Sequence, residues 1–459
     1  MLTKDDILNA IKRVNYPKLN RDLVTLGFVK DVRVSDGEVE ILLTLPLPNC
    51  DLKRSIVDRV KSEISNLEEV KAVRINALSE ILEAPLVRSQ GVRRVKNIIA
   101  VGSGKGGVGK STVSVQLALA LRKFGAKVGV LDADIYGASI PLMLGATEEP
   151  TVRDNVIEPV EVQGIKIISI GFFVPKDTAV IWRGPLVAKA VKDFLNSVDW
   201  GELDYLIVDL PPGTGDAPLT LAQTVSLTGV VIVSTPQKAA LEVAIKAYHM
   251  FKKINIPILG FIENMSYLKC PSCGYKVDMF GSGSVKHVAR ELGVPFLGEL
   301  PIDPKLPSLE DRGLPAMDLS DIGEEFLKIA ENLALEVSVV DIKSRSKREV
   351  SYTEIIRIGT ERSEKAAEIL RAVTGGAKAA LYLKPLKLQR EGKYEPVGEE
   401  NLYSTLKRKE GSVSVVICDS EGNVKAISRP IDEKEVDKYL SELEKRGLKR
   451  YEGELHYPE

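Results

Sequence analysis

The sequence is poor in the residues that most often build disulfide scaffolds and metal sites. Its 459 residues include only four cysteines and three histidines. Four cysteines are too few to brace a chain of this length with disulfides, and they favour a reducing compartment such as the cytoplasm. Cys50 and Cys418 are remote from every other cysteine along the chain, so only Cys270 and Cys273 form a local pair.

The sequence also lacks a strong net charge and a long apolar run. A formal net charge of −1 gives no whole-molecule field that would attract nucleic acid or an anionic membrane. No apolar run approaches the roughly 20 residues that a membrane-spanning helix needs. The first residues, MLTKDDILNA, do not have the basic and then apolar pattern of a signal peptide. We therefore expect a cytoplasmic protein that binds neither nucleic acid nor membrane.

Hydrophobic periodicity divides the chain into segments of different type. Residues 1–82 mix helical and β-rich runs, which predicts a small α+β domain, and residues 83–96 predict a linker. Residues 97–338 alternate seven continuous apolar β-rich runs with amphipathic helices. That alternation predicts an α/β domain with a doubly wound, mostly parallel sheet covered on both faces. Residues 341–459 predict a second small α+β domain, and their sequence does not reveal its role.

The two flanking segments contain specific local signals. Asp36-Gly37 lies between two β-rich runs and predicts a tight hairpin turn. In the last segment, β-rich runs predict strands at 350–359, 379–386 and 412–420, and helical periodicity predicts helices at 363–373 and 433–447.

A glycine-rich loop follows the first β-rich run of the central segment. The string GKGGVGKST (104–112) begins a predicted helix and satisfies the pattern G-x-x-x-x-G-K-S/T in its proper context. Glycines allow backbone N–H groups to close around phosphate oxygens. Lys110 is predicted to lie along the β- and γ-phosphates, and Ser111 to supply its hydroxyl to Mg²⁺. The predicted nucleotide contacts in this loop are Gly104, Lys105, Gly106, Gly107, Val108, Gly109, Lys110, Ser111 and Thr112.

Carboxylates follow two later β-rich runs, in LDADIYGAS (131–139) and VDLPPGTGD (208–216). Because ligands of doubly wound folds bind at the carboxyl ends of strands, these positions are candidate catalytic residues. Asp209 is predicted to partner hydrated Mg²⁺, Asp134 to orient the attacking water, and Asp132 to support the metal shell. Alternatively, these aspartates are simple turn residues at strand ends. This interpretation fits Asp132 better than Asp209.

The cysteine pair lies in YLKCPSCGY (267–275), which presents two thiolates on one tight turn. Such a turn suits a tetrahedral metal or an iron–sulfur cluster, and both normally need four protein ligands. The chain has no second close pair of cysteines. Thiolate count leaves iron and zinc both open, as well as a redox disulfide between Cys270 and Cys273.

Five strings, in order, resemble the Mrp/Nbp35/ApbC family of P-loop ATPases, which carry and transfer iron–sulfur clusters. They are SGKGGVGKST, DADIYGAS, WRGP, DLPPGTGD and ENMSYLKCPSCG, and they span about residues 95–330. The N-terminal segment resembles the MIP18-type (DUF59) domain, with Cys50 at that domain's usual cysteine position. The tetrapeptide YPKL (16–19) departs from its usual D-P-E-L, and Asp51 follows Cys50 where proline is usual, so the role of Cys50 stays open.

The resemblance implies a fold and an assembly. KGGVGKST is similar to the deviant Walker A loop of the MinD/ParA/nitrogenase-iron-protein class, in which the lysine equivalent to Lys105 contacts the nucleotide of the facing subunit. A nucleotide-sandwich homodimer follows, with ATP and Mg²⁺ as cofactors. The resemblance also implies that Asn264 lies near the adenine base, and the alternative is a buried structural asparagine at a strand end. Trp182 and Arg183 then belong either to a switch region or to a packing corner.

Dimerisation would supply the missing metal ligands. Cys270 and Cys273 of two facing subunits provide four thiolates, enough for one bridging 4Fe–4S cluster or, alternatively, one Zn²⁺. The expected partners are then a second copy, a cluster donor and apo iron–sulfur proteins. A second hypothesis is a MinD/ParA-like positioning ATPase whose C-x-x-C holds structural zinc, and a third is a metabolic P-loop enzyme, which would leave the cysteine pair unexplained.

Overall fold

The structure is a computed structural model that divides into two compact units, Met1–Asp341 and Ile342–Glu459. It describes residues 2–84, 90–134, 137–154, 156–173, 184–270, 272–281, 283–314, 316–319 and 322–346, and beyond these the strands 350–358, 412–419, 424–427, 431–432 and 449–450. The predicted switch residues Trp182 and Arg183 lie outside these ranges.

A three-stranded sheet with two helices forms the start of the first unit. Its elements are α1 (Lys4–Ile11), β1 (Val29–Ser35), β2 (Glu38–Leu45), α2 (Asp51–Ser65) and β3 (Ala72–Ser79). β1 pairs with β2 in antiparallel fashion, and β3 pairs with β2 in parallel. The hairpin predicted at Asp36-Gly37 is confirmed: both residues have positive φ, 50° and 85°, as a tight two-residue turn that matches the strand twist requires.

Helical periodicity explains how the two helices cover this sheet. In α2, Ile56, Val60 and Ile64 recur every four residues and are fully buried. They lie on one face of the helix, opposite a polar face that carries most of its charges. α1 begins at a capping box, in which Thr3 and Asp6 each bond the other's backbone N–H. The sequence pattern therefore accounts for this α+β fold.

The rest of the first unit is built on an eight-stranded sheet. In chain order, the strands after β3 are β4 (Val95–Ser103), β5 (Val128–Asp132), β6 (Thr151–Arg153), β7 (Val156–Glu158), β8 (Val160–Val162), β9 (Ile165–Ser169), β10 (Leu203–Asp209), β11 (Gly229–Ser234), β12 (Ile258–Glu263), β13 (Leu268–Lys269), β14 (Lys276–Val277) and β15 (Phe296–Glu299). The large sheet has the order β15-β12-β11-β4-β10-β5-β9-β8, while β6-β7 and β13-β14 are separate two-stranded hairpins.

Helices connect these strands. They are α3 (Lys110–Lys123), α4 (Ile140–Leu144), α5 (Gly184–Ser197), α6 (Asp216–Thr224), α7 (Lys238–Lys253), α8 (Ser284–Glu291), α9 (Leu306–Asp311), α10 (Ala316–Leu319) and α11 (Gly323–Ser346), with single 3₁₀ turns at Gln90–Val92 and Ile170–Phe172. Long connections that contain a helix are what joins neighbouring parallel strands.

The predicted α/β class is confirmed. All seven β-rich runs of the central segment are strands of the large sheet, and they pair in parallel. The three-residue strand β8 was not predicted; it pairs antiparallel to β9 at the sheet edge. β11 is buried along its whole length, as expected for a strand covered on both faces. In the sheet, β5 lies on one side of β4, beyond β10, and β11 lies on the other side. The connections after β4 and before β11 therefore run to opposite sides, which creates a crevice at the carboxyl end of β4.

The N-terminal domain contacts α11 through a loop and a helix start. The hydroxyls of Tyr16 and Ser338 share a hydrogen bond of 2.8 Å, and Lys18 forms an ion pair with Glu336. The backbone N–H of Leu52 donates to the carboxylate of Glu331. These bonds, between residues about 300 positions apart, hold the loop after α1 and the start of α2 against α11.

The second unit contains the strands β16 (Val350–Ile358), β17 (Ser412–Asp419), β18 (Val424–Ile427), β19 (Ile431–Asp432) and β20 (Lys449–Arg450). β16 and β17 confirm two predicted strands and pair antiparallel. The strand predicted at 379–386 and the helices predicted at 363–373 and 433–447 lie outside the described residues. Cys418 belongs to β17.

Candidate functional site

The glycine-rich loop joins β4 to α3 at the crevice. Gly107 and Gly109 have φ of 77° and 81°, a left-handed conformation that residues with a side chain rarely adopt. Gly104 is required for a different reason: a Cβ there would lie 2.4 Å from the carbonyl carbon of Val243 in α7. The loop is therefore shaped both by its own backbone and by close contact with a neighbouring helix.

Strand register brings two of the predicted aspartates together. Asp209, the last residue of β10, pairs directly with Asp132, the last residue of β5, and Asp132 pairs with Ser169 of β9. Paired residues of neighbouring strands point to the same face of the sheet, so these side chains form one row. Asp132 and Asp209 are fully buried.

Lys110 neutralises Asp209. Its ammonium lies 2.7 Å from one carboxylate oxygen of Asp209 and 3.5 Å from a carboxylate oxygen of Asp134. Ser111 donates to Asp209 at 2.6 Å, and Ser114 donates to its other oxygen, also at 2.6 Å. A buried carboxylate needs this many partners, because an unpaired charge in the interior is strongly unfavourable. The predicted loop lysine, loop serine and Asp209 are thus in mutual contact.

Asp132 lies behind this contact. It accepts bonds from the Ser169 hydroxyl at 2.9 Å and from the backbone N–H of Asp134 at 3.2 Å. Burial, and next the charge of Asp209, raise the pKa of Asp132 to about 7. The predicted role of Asp132 in a metal shell stays a prediction. Within the protein, its hydrogen bond with the N–H of Asp134 helps to position the backbone just after β5.

A cleft of about 210 Å³ lies against the loop. Its lining includes Lys105, Gly106, Gly107, Gly109, Lys110, Ser111, Thr112, Asp134, Ser139, Met143 and Pro212. Gly104, Val108, Asp132, Asp209 and Asn264, which were also predicted as site residues, are not part of that lining. Asp209 reaches the cleft only through Lys110 and Ser111, which separate it from solvent.

Lys105 also lines the cleft, but its partners differ from those of Lys110. Its ammonium donates to the side-chain oxygen of Gln237 at 3.4 Å, and its own carbonyl accepts a bond from the Ser103 hydroxyl at 3.0 Å. The two loop lysines therefore have different environments: Lys110 is buried among carboxylates, and Lys105 is only partly buried.

Asn264 follows β12 and contacts the loop. Its side-chain amide donates to the carbonyl of Val108 at 2.8 Å, and its side-chain oxygen accepts from the N–H of Met265 at 2.9 Å. The predicted contact with adenine stays a prediction. One N–H of the amide is not involved in these bonds.

The cysteine pair lies on the β13-β14 hairpin. The N–H of Cys270 donates to the carbonyl of Tyr275, and the N–H of Gly274 donates back to the carbonyl of Cys270, both at 2.9 Å. Cys273 is exposed and Cys270 is partly exposed. The backbone N–H groups of Cys273 and Ser272, together with the Cys273 thiol, point at the sulfur of Cys270 and lower its pKa. Hydrogen bonds to the charged form favour the thiolate, which is the form that binds metals.

Cys50 has the opposite environment. It is fully buried at the N-terminus of α2, beneath α11. Burial, and to a lesser degree the carboxylate of Glu331, raise the pKa of its thiol to about 11. Cys50 is thus inaccessible to a metal or a reagent in solution, whereas Cys270 and Cys273 are accessible.

Sequence reasoning missed two residues that support the site. Ser114, which bonds Asp209, lies one helical turn after Lys110, so its spacing was a usable signal. Glu310 of α9 accepts bonds from Thr112 at 2.9 Å and Gln116 at 3.2 Å, and burial raises its pKa. Nothing in the sequence links Glu310 to a loop about 200 positions earlier.

Two features are absent from the described residues. No three His, Cys, Asp or Glu side chains converge in a way that could hold a metal ion. No helix in this part of the chain is long and apolar enough to cross a membrane.

The central strand of the sheet leads through a glycine-rich loop with a lysine into a helix, and an aspartate lies at the end of the adjacent strand. This arrangement defines a P-loop NTPase. The family model described as "NUBPL iron-transfer P-loop NTPase" matches residues 94–334, and the one described as "Iron-sulfur cluster assembly protein" matches residues 4–77. The chain belongs to the family of iron–sulfur cluster carrier P-loop NTPases, and the resemblance drawn from its five strings and from its N-terminal domain is confirmed.

Two curated relatives have a description that agrees with this family. The chain is 42% identical to the iron-sulfur cluster carrier protein of Synechocystis sp. over 349 residues, covering 74% of this chain and 99% of that protein. It is 40% identical to the iron-sulfur cluster carrier protein of Escherichia coli K12 over 335 residues, covering 72% and 90% of the two chains. A solved nucleotide-binding protein from Archaeoglobus fulgidus, in complex with ADP, is 45% identical with a TM-score of 0.44, covering 49% of this chain and 88% of that one.

Proposed function

We propose that this protein is an ATP-hydrolysing iron–sulfur cluster carrier that works as a homodimer. Two copies face each other and hold one 4Fe–4S cluster between them, with Cys270 and Cys273 of each copy as ligands. The cluster is cargo: a donor protein supplies it, and apo iron–sulfur proteins of the cytoplasm receive it. The family membership supports the cargo, and the chemistry of the cysteine hairpin supports the ligands.

The observation that carries this proposal is the state of the two thiols. They lie close together on an exposed turn, and backbone N–H groups favour the thiolate of Cys270. An iron–sulfur cluster takes four thiolates. Cys50 is a poor candidate for a third ligand, because it is fully buried and its pKa is raised. A second copy related by a two-fold axis supplies the same pair again, and each half remains accessible when the copies separate.

The nucleotide part of the proposal starts from Lys110. Its ammonium is engaged with Asp209 and Asp134. A bound triphosphate competes for this ammonium, and the glycine loop adds backbone N–H groups. Ser111 and Asp209 are in hydrogen-bond contact and offer hydroxyl and carboxylate oxygens, the ligand type that Mg²⁺ prefers, so these residues fit that ion. Mg²⁺ would neutralise charge that develops on the phosphate oxygens.

Hydrolysis is assigned to residues of the same cleft. Asp134 accepts a hydrogen bond from the attacking water, whose oxygen bonds to the γ-phosphorus while the bond from that phosphorus to the ADP oxygen breaks, and the proton of the water leaves with the inorganic phosphate. Lys105, which lines the cleft, reaches the nucleotide of the facing copy. ATP therefore holds the two thiol pairs together, and its hydrolysis lets the copies separate and release the cluster.

Anaerobic reconstitution with iron and sulfide tests the ligands. The wild-type protein is expected to bind one 4Fe–4S cluster per two chains, and the bound cluster should absorb at about 400 nm. Cys270→Ser and Cys273→Ser should each lose most of the bound iron and sulfide, while the control Cys50→Ala keeps it. Retention of wild-type iron and sulfide by either variant, or a full cluster on a strictly monomeric protein, would refute the shared site. Selective recovery of zinc would favour the structural-zinc alternative.

The two loop lysines test the nucleotide part. Lys110→Ala should weaken ATP binding by about 100-fold or more, because the phosphate loses its buried cation. Lys105→Ala should still bind ATP but fail to dimerise on it, and its turnover should fall at least tenfold. Calorimetry and sedimentation with and without ATP measure both effects. Unchanged dimerisation of Lys105→Ala would remove the cross-subunit role.

A further inference from the structure

The segment that carries the cysteine pair is tied at both ends to one carboxylate. This segment, residues 264–283, is called the cysteine segment below. Glu263, immediately before it, accepts bonds from the Ser266 hydroxyl at 2.5 Å and from the N–H of Gly283 at 3.0 Å. Its other oxygen accepts from the N–H of Val285, at the start of α8, at 2.8 Å. Glu263 is fully buried, so the base of the segment is held firmly while its tip is exposed.

The first residue of the cysteine segment is in direct contact with the phosphate loop. Asn264 donates to the carbonyl of Val108 at 2.8 Å. The next loop residue, Gly109, comes so close that a Cβ on it would lie 2.2 Å from the amide nitrogen of Asn264. The backbone of Asn264 is itself anchored, since its N–H donates to the carbonyl of Ser234 at 2.8 Å. The loop therefore rests on the side-chain amide of a residue whose backbone is anchored, while the side chain itself can follow the loop.

This hydrogen bond sets the direction of a loop N–H. The carbonyl of Val108 and the N–H of Gly109 belong to one planar trans peptide, in which the two groups point in opposite directions. Holding the carbonyl toward Asn264 therefore points the Gly109 N–H away from Asn264. Gly109 lines the cleft. The side chain of Asn264 therefore helps to fix the orientation of a peptide N–H at a residue next to the space that a phosphate would occupy.

The same amide supports the first turn of the cysteine segment. Met265 has φ of 56°, a left-handed conformation that is strained for a residue with a side chain. Its N–H donates to the side-chain oxygen of Asn264 at 2.9 Å, and the N–H of Ser266 donates to the carbonyl of Leu300 at 2.9 Å. Any shift of Asn264 with the loop removes one support of this strained turn. The turn is followed by β13 (Leu268–Lys269), and Cys270 comes directly after this strand.

We propose that Asn264 is a positioning residue that couples the phosphate loop to the cysteine segment. Phosphate binding draws the Val108–Gly109 peptide into place, Asn264 follows through its bond to Val108, and the Met265 turn passes the change to the hairpin with the thiols. Coupling between two binding sites is reciprocal, so occupancy of the thiols also changes phosphate affinity. The relevance to cargo release rests on the proposed function, but the coupling itself does not.

The test uses cluster-free protein, so that it does not depend on the cargo. Hydrogen exchange of residues 266–281 and alkylation of Cys270 and Cys273 are followed with and without saturating ATP and Mg²⁺. In the wild type we expect nucleotide to change these rates about threefold or more. In Asn264→Ala the ratio of the rates with and without nucleotide should fall to about one, even at saturation. The matched control is Asn332→Ala, whose amide also donates at 2.8 Å to a backbone carbonyl, that of Leu297, outside loop and segment.

Inorganic tripolyphosphate separates positioning from a contact with the base. If Asn264 aims the Gly109 N–H, Asn264→Ala weakens tripolyphosphate binding by about fivefold or more, although this probe has no adenine. If Asn264 only contacts adenine, tripolyphosphate binding is unchanged and the hairpin response at saturating ATP persists, and that result overturns the proposal. An absent response in the wild type overturns it as well.

A second variant covers the case in which Asn264→Ala does not fold. Ser266→Ala removes a tie at the base of the cysteine segment and touches no loop residue. It should leave ATP affinity unchanged while raising exchange in the segment without nucleotide and reducing the response to ATP. A wild-type response in Ser266→Ala contradicts transmission through the base. Because these measurements use no iron, their failure is distinguishable from failure of the reconstitution experiment.

Discussion

Cys50 and Cys270 show two opposite uses of the same side chain. Cys50 is fully buried under α11, where burial raises the pKa of its thiol to about 11. Cys270 lies on an exposed hairpin, where N–H groups of its own turn lower the pKa of its thiol. The first behaves as a small apolar side chain that seals the contact between the N-terminal sheet and the large domain. The second is a candidate ligand, so environment rather than residue type separates packing from chemistry.

The largest expected difference is in reactivity. In native protein at pH 8, iodoacetamide should modify Cys270 roughly 1,000-fold faster than Cys50, because alkylation requires an accessible thiolate and Cys50 is reached only by opening of the fold. Peptide mass spectrometry after quenching measures both rates in one sample. Denatured protein is the control, in which the two rates should converge. Similar rates in the native protein would show that the N-terminal sheet opens readily from α11.

Stability should distinguish the same two regions. Cys50→Ala is expected to lower the free energy of unfolding by about 1–2 kcal/mol, because it leaves a small cavity in packed surroundings. Cys273→Ala, on an exposed turn, should change it by less than about 0.5 kcal/mol. Urea titrations with an unchanged slope measure both values. Equal losses in the two variants would argue against the sealed position of Cys50.

The smallest effect is a pH dependence. A thiol with a raised pKa stays neutral in the folded protein while it ionises in the unfolded chain, whose ordinary value is about 8.5. The contribution of the Cys50 thiol to the free energy of unfolding is complete below about pH 8.5. It is lost as the pH rises toward the pKa of this thiol in the folded protein, about 11. Between pH 8 and 9.5 the wild type should therefore lose about 1 kcal/mol more unfolding free energy than Cys50→Ala. Parallel pH profiles of the two proteins would contradict the raised pKa.

The phosphate loop and the strands could be predicted because their signals are local. Nine contiguous residues, GKGGVGKST, carry the loop, and the structure has the predicted strand before it and the predicted helix after it. Continuous apolar runs likewise predicted the seven parallel strands. The short antiparallel strand β8 escaped because three residues at a sheet edge have too little periodicity to be recognised.

Contacts between distant parts of the chain could not be predicted in the same way. The predicted role of Asp132 in the metal shell came from its place at a strand end and stays a prediction. Its position between Ser169 and Asp209 follows instead from strand register with β9 and β10. Glu310 reaches the loop helix from a short helix late in the chain. These neighbours follow from how the strands and helices assemble, about which the local pattern carries no information.

The amino-acid order alone was sufficient for the fold class, the phosphate loop, the family and the identity of the paired cysteines. Each of these depends on spacing within a few residues. Folding in three dimensions decided that Cys50 is sealed and Cys270 accessible, that Lys110 neutralises Asp209, and that Asn264 rests on Val108. Burial and hydrogen bonding are properties of neighbours in space, and the neighbours in question come from strands and helices that lie far apart along the chain.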